Sequence, residues 1–247
     1  RGVWKYSGKV VWGSPEGADH TSYQKHYANK LKIPKASTLN ATLELALKKM
    51  GDGAQRSGVA ARIPHFIWKR KEFAHWWHLQ EASGNEVREA SVKWSFWVGP
   101  NKDRLFLYIM HAVVYVSAED REKSNEVILF RPDISTVCLY KLAAPLIDTK
   151  VVLVKEFCTP VRNEEGMVYQ LPGGSSPEDG VDPQQTASDE VAEELGITVE
   201  PGRFRSHGAR QMGATLSGYL CHLYSAELTD EELEKLEADT GVHGADD

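Results

Sequence analysis

The chain has 247 residues, 41% hydrophobic and 26% charged, the composition of an ordinary globular protein with enough apolar side chain to fill a core. A net charge of −6 argues against charge-driven binding along nucleic acid, although "WKRK" at 68–71 is a local basic patch. No apolar run reaches the roughly 18 residues that cross a bilayer, so no membrane partner is expected.

Residues 1–65 begin at Arg1, which reads as a fragment or processed product, with any targeting segment out of view. Within them, 23–34 and 36–51 have helical character. The second carries Ser37 or Thr38 as N-cap and Gly51 as a stop. The aromatic-rich stretch 69–84 predicts a helix. Strands follow at 92–99, 104–117, 126–132, 135–142 and 150–157, with "LFLYIMHAVVYV" (105–116) the longest apolar run. A polar run at 118–124, "AEDREKS", suggests a boundary between an N-terminal region, 1–122, and a second domain, 123–247. The second domain continues with a helix after Asp182, strands over 203–211 and 217–228, and a charged helix over 229–239 capped by Thr229 or Asp230. Strands, one central helix, more strands and a terminal helix make an α+β arrangement, read as an α/β/α sandwich, and do not fit regular βα alternation. The three cysteines, Cys138, Cys158 and Cys221, are too far apart for a zinc cluster or disulfide framework. They point to an intracellular, reducing compartment, cytoplasm or organelle matrix.

The chemistry concentrates in residues 171–197, "LPGGSSPEDGVDPQQTASDEVAEELGI". Asp182 and Pro183 start a helix, with Gln185 in place for a capping box, and Gly196 ends it. Ala187, Val191 and Leu195 form its apolar stripe, while Glu190, Glu193 and Glu194 share another face at i, i+3 and i+4. Like charges so spaced repel, and a hard divalent cation, Mg2+ or Mn2+, converts that repulsion into affinity. The glycine pair Gly173–Gly174 lets backbone approach a cation or a phosphate chain. A plain solvated acidic face is the competing reading of the same residues.

This stretch resembles a Nudix box. "LPGG" opens it, and Glu190, Val191, Glu193, Glu194, Gly196 and Ile197 match its second half. The preceding "VVLVKEF", "TPV" and "VYQLPGG" resemble the ADP-sugar pyrophosphatase branch. The resemblance implies a Nudix fold with a mixed sheet over 123–247, preceded by an additional α+β region and ending before the final strand and helix of a full domain. It also implies metal-dependent cleavage of the pyrophosphate in a nucleoside diphosphate derivative such as ADP-ribose or a nucleotide sugar. Glu190, Glu193 and Glu194 would be catalytic and would hold the metal with the Gly173 carbonyl; Arg162, Gly173, Gly174 and Arg210 would contact substrate. The chain departs from the pattern in three places. Asp189 replaces the box arginine. The first box glutamate aligns with Gly180 or Val181, leaving Glu178 or Asp179 as substitutes. Cys158 stands where an arginine is common.

A second reading makes the domain a catalytically impaired scaffold or binding module in a larger, RNA-associated assembly, with the N-terminal region docking a partner. A homodimer is expected from the resembled branch, and binding of nucleic acid is not favoured. "HWWH" at 75–78 reads as an aromatic packing helix, with metal binding by His75 and His78 the lesser alternative.

Overall fold

The computed structural model describes residues 2–4, 56–176 and 180–244, so the helices expected at 23–34 and 36–51 lie outside the described residues. Among the described residues, two sheets and four helices make an α+β fold. In chain order they are β1 (Gly2–Trp4), α1 (His65–Trp68), α2 (Lys71–Ala82), β2 (Glu86–Val98), β3 (Arg104–Val116), β4 (Arg121–Phe130), β5 (Ile134–Lys141), β6 (Lys150–Phe157), β7 (Met167–Gln170), β8 (Gly173–Gly174), α3 (Pro183–Leu195), β9 (Arg205–Gln211), β10 (Leu220–Glu227) and α4 (Asp230–Ala238).

The first sheet is an antiparallel meander, β2-β3-β4. Its core is aromatic and aliphatic: Tyr108, Met110, Ala112 and Val114 alternate along β3 and meet Ile67, Trp68, Phe73 and Trp77 from α1 and α2, with Phe130 at the end of β4. Phe73, Trp76 and Tyr108 all lie against or near Phe130, the Tyr108 ring stacked on it at 5.0 Å. "HWWH" is therefore a packing helix. His78 is buried, with Nδ1 lacking a hydrogen-bond partner among the described residues, and burial lowers the pKa of His75.

Two strands are longer than their apolar runs suggested. β2 starts at Glu86 and β4 at Arg121, because polar side chains decorate their exposed sides while the ladders continue. Tyr115 pairs with both Glu86 and Glu122, and Val116 with Arg121. Arg88 reaches Glu122 at 2.9 Å and covers the Tyr115 ring at 4.4 Å, a charged cross-strand cluster in place of an apolar one. The boundary expected at 122/123 falls inside this β3–β4 pair: 117–120 is its tight connection, with Asp120 left-handed at φ 46°. The change of sheet comes later, between Phe130 and Ile134.

The second sheet is mixed, in the order β1-β6-β5-β10-β9, with β7 added on β6 and β8 on β5. β5 and β10 run parallel and the other pairs antiparallel. Val137, Leu139, Val152, Val154, Tyr224 and Ala226 from this sheet share one core with Ala187, Val191 and Leu195 of α3 and Leu236 of α4. α4 opens on a complete capping box, Thr229 with Glu232. Arg203 grips Glu232 through both guanidinium nitrogens, at 2.5 and 3.0 Å. Short links join the two sheets. The Leu129 amide donates to the Leu216 carbonyl and the Gly218 amide to the Leu129 carbonyl, both at 2.8 Å. Gly218 sits directly over the Phe130 ring, where a Cβ would come within 2.4 Å.

Candidate active site

The site is built where the Leu171–Ser176 loop crosses between β5 and α3. The turn is fixed by β5: the Val137 amide donates to the Pro172 carbonyl at 2.9 Å, and the Thr136 hydroxyl to the same oxygen at 3.2 Å. Gly173 and Gly174 then pair with Thr136 and Ser135 as β8. A Cβ on Gly173 would lie 2.2 Å from the Ser135 carbonyl oxygen, so glycine is required by close backbone approach.

α3 starts and ends as its sequence predicts. Asp182 caps the Gln184 amide at 2.7 Å, Pro183 occupies the first turn, and Gly196 terminates the helix at φ 65°. Gln185 does not close a capping box. Its side-chain amide donates to Asp189 Oδ1 at 2.8 Å, so Asp189 is held by a neutral neighbour one turn away.

The acidic face of α3 meets the glycine turn. The Gly173 N–H donates to Glu194 Oε2 at 3.1 Å. Gly174 lies against Glu190, and a Cβ there would stand 2.5 and 2.6 Å from its two carboxylate oxygens. Glu193 is exposed, Glu190 and Glu194 half-buried. Burial first, then the negative charges of Glu193, Glu194 and Asp189, push the pKa of Glu190 up to about 7 from 4.5, against the opposing pull of Arg131. Glu194 and Glu190 thus adjoin Gly173 and Gly174, the Gly173 contact being made through its amide. The remaining candidates lie on other elements or outside the described residues. Arg162 is exposed in the β6–β7 loop, and Arg210, exposed on β9, donates to the Ala209 carbonyl at 2.8 Å. Glu178 and Asp179 lie outside the described residues.

No protein-family model matches the chain, and no curated protein matches it.

Arg131 was not legible as a site residue. It follows β4, and its guanidinium lies between the rings of Phe106 at 5.1 Å and Tyr219 at 5.5 Å. Its Nη2 donates to Ser175 Oγ at 2.9 Å, while Nε is buried without a hydrogen-bond partner among the described residues. Burial draws its pKa down, with Tyr219 and Glu190 acting in the opposite sense. Beyond Phe106 the aromatic surface continues to Phe96 at 6.5 Å and on to Trp94, stacked on Phe96 at 5.9 Å and 51% exposed. Beside the loop, a cavity of about 80 Å³ is lined by Arg70, Glu72, Asp133, Ser135, Pro183 and His222 among others. Within it Arg70 pairs with Glu72 at 2.8 Å and His222 with Asp133 at 3.2 Å.

Among the described residues, no three or more His, Cys, Asp or Glu side chains already stand together as a metal-holding group. The donor chemistry nonetheless suits a hard divalent cation: carboxylate oxygens on adjoining turns, one of them, on Glu190, with its pKa pushed up to about 7 by burial and then by its negative neighbours. No helix among the described residues is long and apolar enough to cross a membrane.

Proposed function

We propose that the chain is a Nudix-type hydrolase that cleaves the pyrophosphate of a nucleoside diphosphate derivative, ADP-ribose or a nucleotide sugar, with Mg2+ or Mn2+. The observation that carries this reading is the junction of the glycine turn with the acidic helix face, through the Gly173–Glu194 hydrogen bond and the contact of Gly174 with Glu190. That junction puts side-chain-free backbone and concentrated carboxylate charge at one point, a combination suited to handling a diphosphate. Glu190, Glu193 and Glu194 would hold the cation, which supplies neutralisation of phosphate charge when bound. The chain's own part is to fix those carboxylates: Gly173 orients Glu194, and the helix caps fix the register of the face.

The test incubates the protein with Mg2+ or Mn2+ and a panel of nucleoside diphosphate derivatives, and measures release of nucleoside monophosphate. Product with at least one substrate, abolished by chelation, is the expected result. No product from any of them, together with no heat of Mn2+ binding, would refute the hydrolase reading.

A second reading, a Nudix-like binding module in a larger assembly, is favoured by a different observation. Trp94 and Phe96 stack on the outside of β2 with 51% and 45% of their surfaces exposed, an unusual cost for a face that meets only water. The same activity panel, run beside partner capture with and without Trp94→Ser, separates the two.

A further inference from the structure

We propose that Arg131 is a positioning residue for the acidic helix face, supplying from the β4–β5 connection the positive charge that position 189 lacks and holding Glu190 against the glycine turn. The inference gives Arg131 a role within the hydrolase reading, but the pairing itself is a property of the folded chain and is tested without catalysis.

The two groups approach one loop at consecutive residues. Arg131 Nη2 is bonded to the Ser175 hydroxyl at 2.9 Å. Ser175 directly follows Gly174, whose Cα is overlaid by the Glu190 carboxylate so closely that no side chain fits between them. On its own helix Glu190 has only negative neighbours, Asp189, Glu193 and Glu194, and Arg131 is the positive group that acts on it. Asp189 makes matters worse by adding a carboxylate, and Gln185 satisfies that carboxylate without neutralising it.

Arg131 is well held for this task. Phe106 and Tyr219 restrict the planar guanidinium from two sides, and stacking on ring faces is a geometry that arginine tolerates and lysine does not reproduce. A guanidinium stays charged even when burial lowers its pKa, so the balance does not fail at working pH. The side chain keeps one buried donor, Nε, without a hydrogen-bond partner among the described residues. Its position is set by the rings and the loop.

The experiment is a double-mutant cycle on metal-free protein in EDTA at pH 8, read as the midpoint of thermal unfolding. Arg131→Gln should lower the midpoint by about 5 °C or more in the parent, and by less than half as much when Glu190→Gln is also present. Equal losses in the two backgrounds would overturn the proposal, leaving Arg131 as packing only. If Arg131→Gln alone does not fold, recovery of folding in the double variant supports the pairing and failure of both refutes it. With Mn2+ and a turned-over substrate, Arg131→Gln should reduce kcat about tenfold or more while KM stays within about threefold, and Arg131→Lys should restore part of the loss. An effect confined to KM would also overturn the positioning role. A coupled cycle in a protein inert toward every substrate would sink the hydrolase reading and leave the pairing standing.

Discussion

Glu190→Gln should make the metal-free protein more stable at pH 8, although it removes a residue assigned to the site. In the folded chain the carboxyl holds its proton to about pH 7, against 4.5 for its ordinary value. At about 1.36 kcal/mol for each pH unit, that difference corresponds to a ceiling of roughly 3 kcal/mol. Glu190 is half-buried rather than sealed, and solvent screening reduces the figure to about 1–2 kcal/mol. The sign follows from proton counts. Below pH 4.5 both folded and unfolded chains are protonated and nothing is lost. Between 4.5 and about 7 the unfolded chain releases its proton while the folded one keeps it, so stability falls as pH rises. Above 7 the loss is complete and constant. Glutamine carries no charge to penalise, so the variant should gain roughly 3–6 °C in unfolding midpoint at pH 8 and little or nothing at pH 4. Scanning calorimetry or circular dichroism across that range, in EDTA, measures it. A variant no more stable than the parent at pH 8, or one whose gain is the same at both pH values, would refute the claim that Glu190 is a strained carboxylate.

Glu193→Gln and Glu194→Gln should each slow ADP-ribose turnover by about 100-fold or more, measured as released AMP under saturating Mn2+; rates within threefold of the parent would remove them from the site. Gly174→Ala should displace the Glu190 carboxylate, since the new methyl would come within 2.5 Å of it, and should weaken Mn2+ binding in calorimetry about tenfold while leaving the circular dichroism spectrum intact. Gly173→Ala meets rigid backbone instead, with its Cβ 2.2 Å from the Ser135 carbonyl oxygen; a loss of about 2–4 kcal/mol in urea unfolding is expected. Thr229→Ala dismantles the α4 capping box and should cost about 1 kcal/mol with no effect on turnover.

The sequence was most readable where structure is locally determined. Asp182, Pro183 and Gly196 fix α3 through bonds within a few residues of themselves, so its bounds could be taken from the chain directly. Thr229 and Glu232 did the same for α4. The ends of β2 and β4 were missed because Glu86, Arg88, Lys123 and Glu122 look like loop residues until the partner strand is in place, and only the ladder reveals them. The polar run 118–124 reads as a boundary for the same reason, although it spans the tight turn and the start of β4. At the site, the turn and the acidic face lie 16 residues apart (Gly174 to Glu190) and were legible as a motif. Arg131 comes from another sheet, carries no motif, and is brought to Ser175 only by the fold. Arg162, in the β6–β7 loop, and Arg210, on β9, are both exposed, and nothing in their local sequence fixes where their side chains lie relative to the glycine turn.

Phe130 is the last residue of β4 and Arg131 the next one along. The first is clamped inside the aromatic core with Gly218 resting on its ring; the second touches the glycine loop. With a single peptide bond between them, any shift in how Phe73, Tyr108 and Phe130 settle is carried as leverage to a guanidinium bonded to the glycine loop. Substitutions deep in the tryptophan-rich half can therefore detune a site they never contact, and a survey confined to the acidic helix would overlook them.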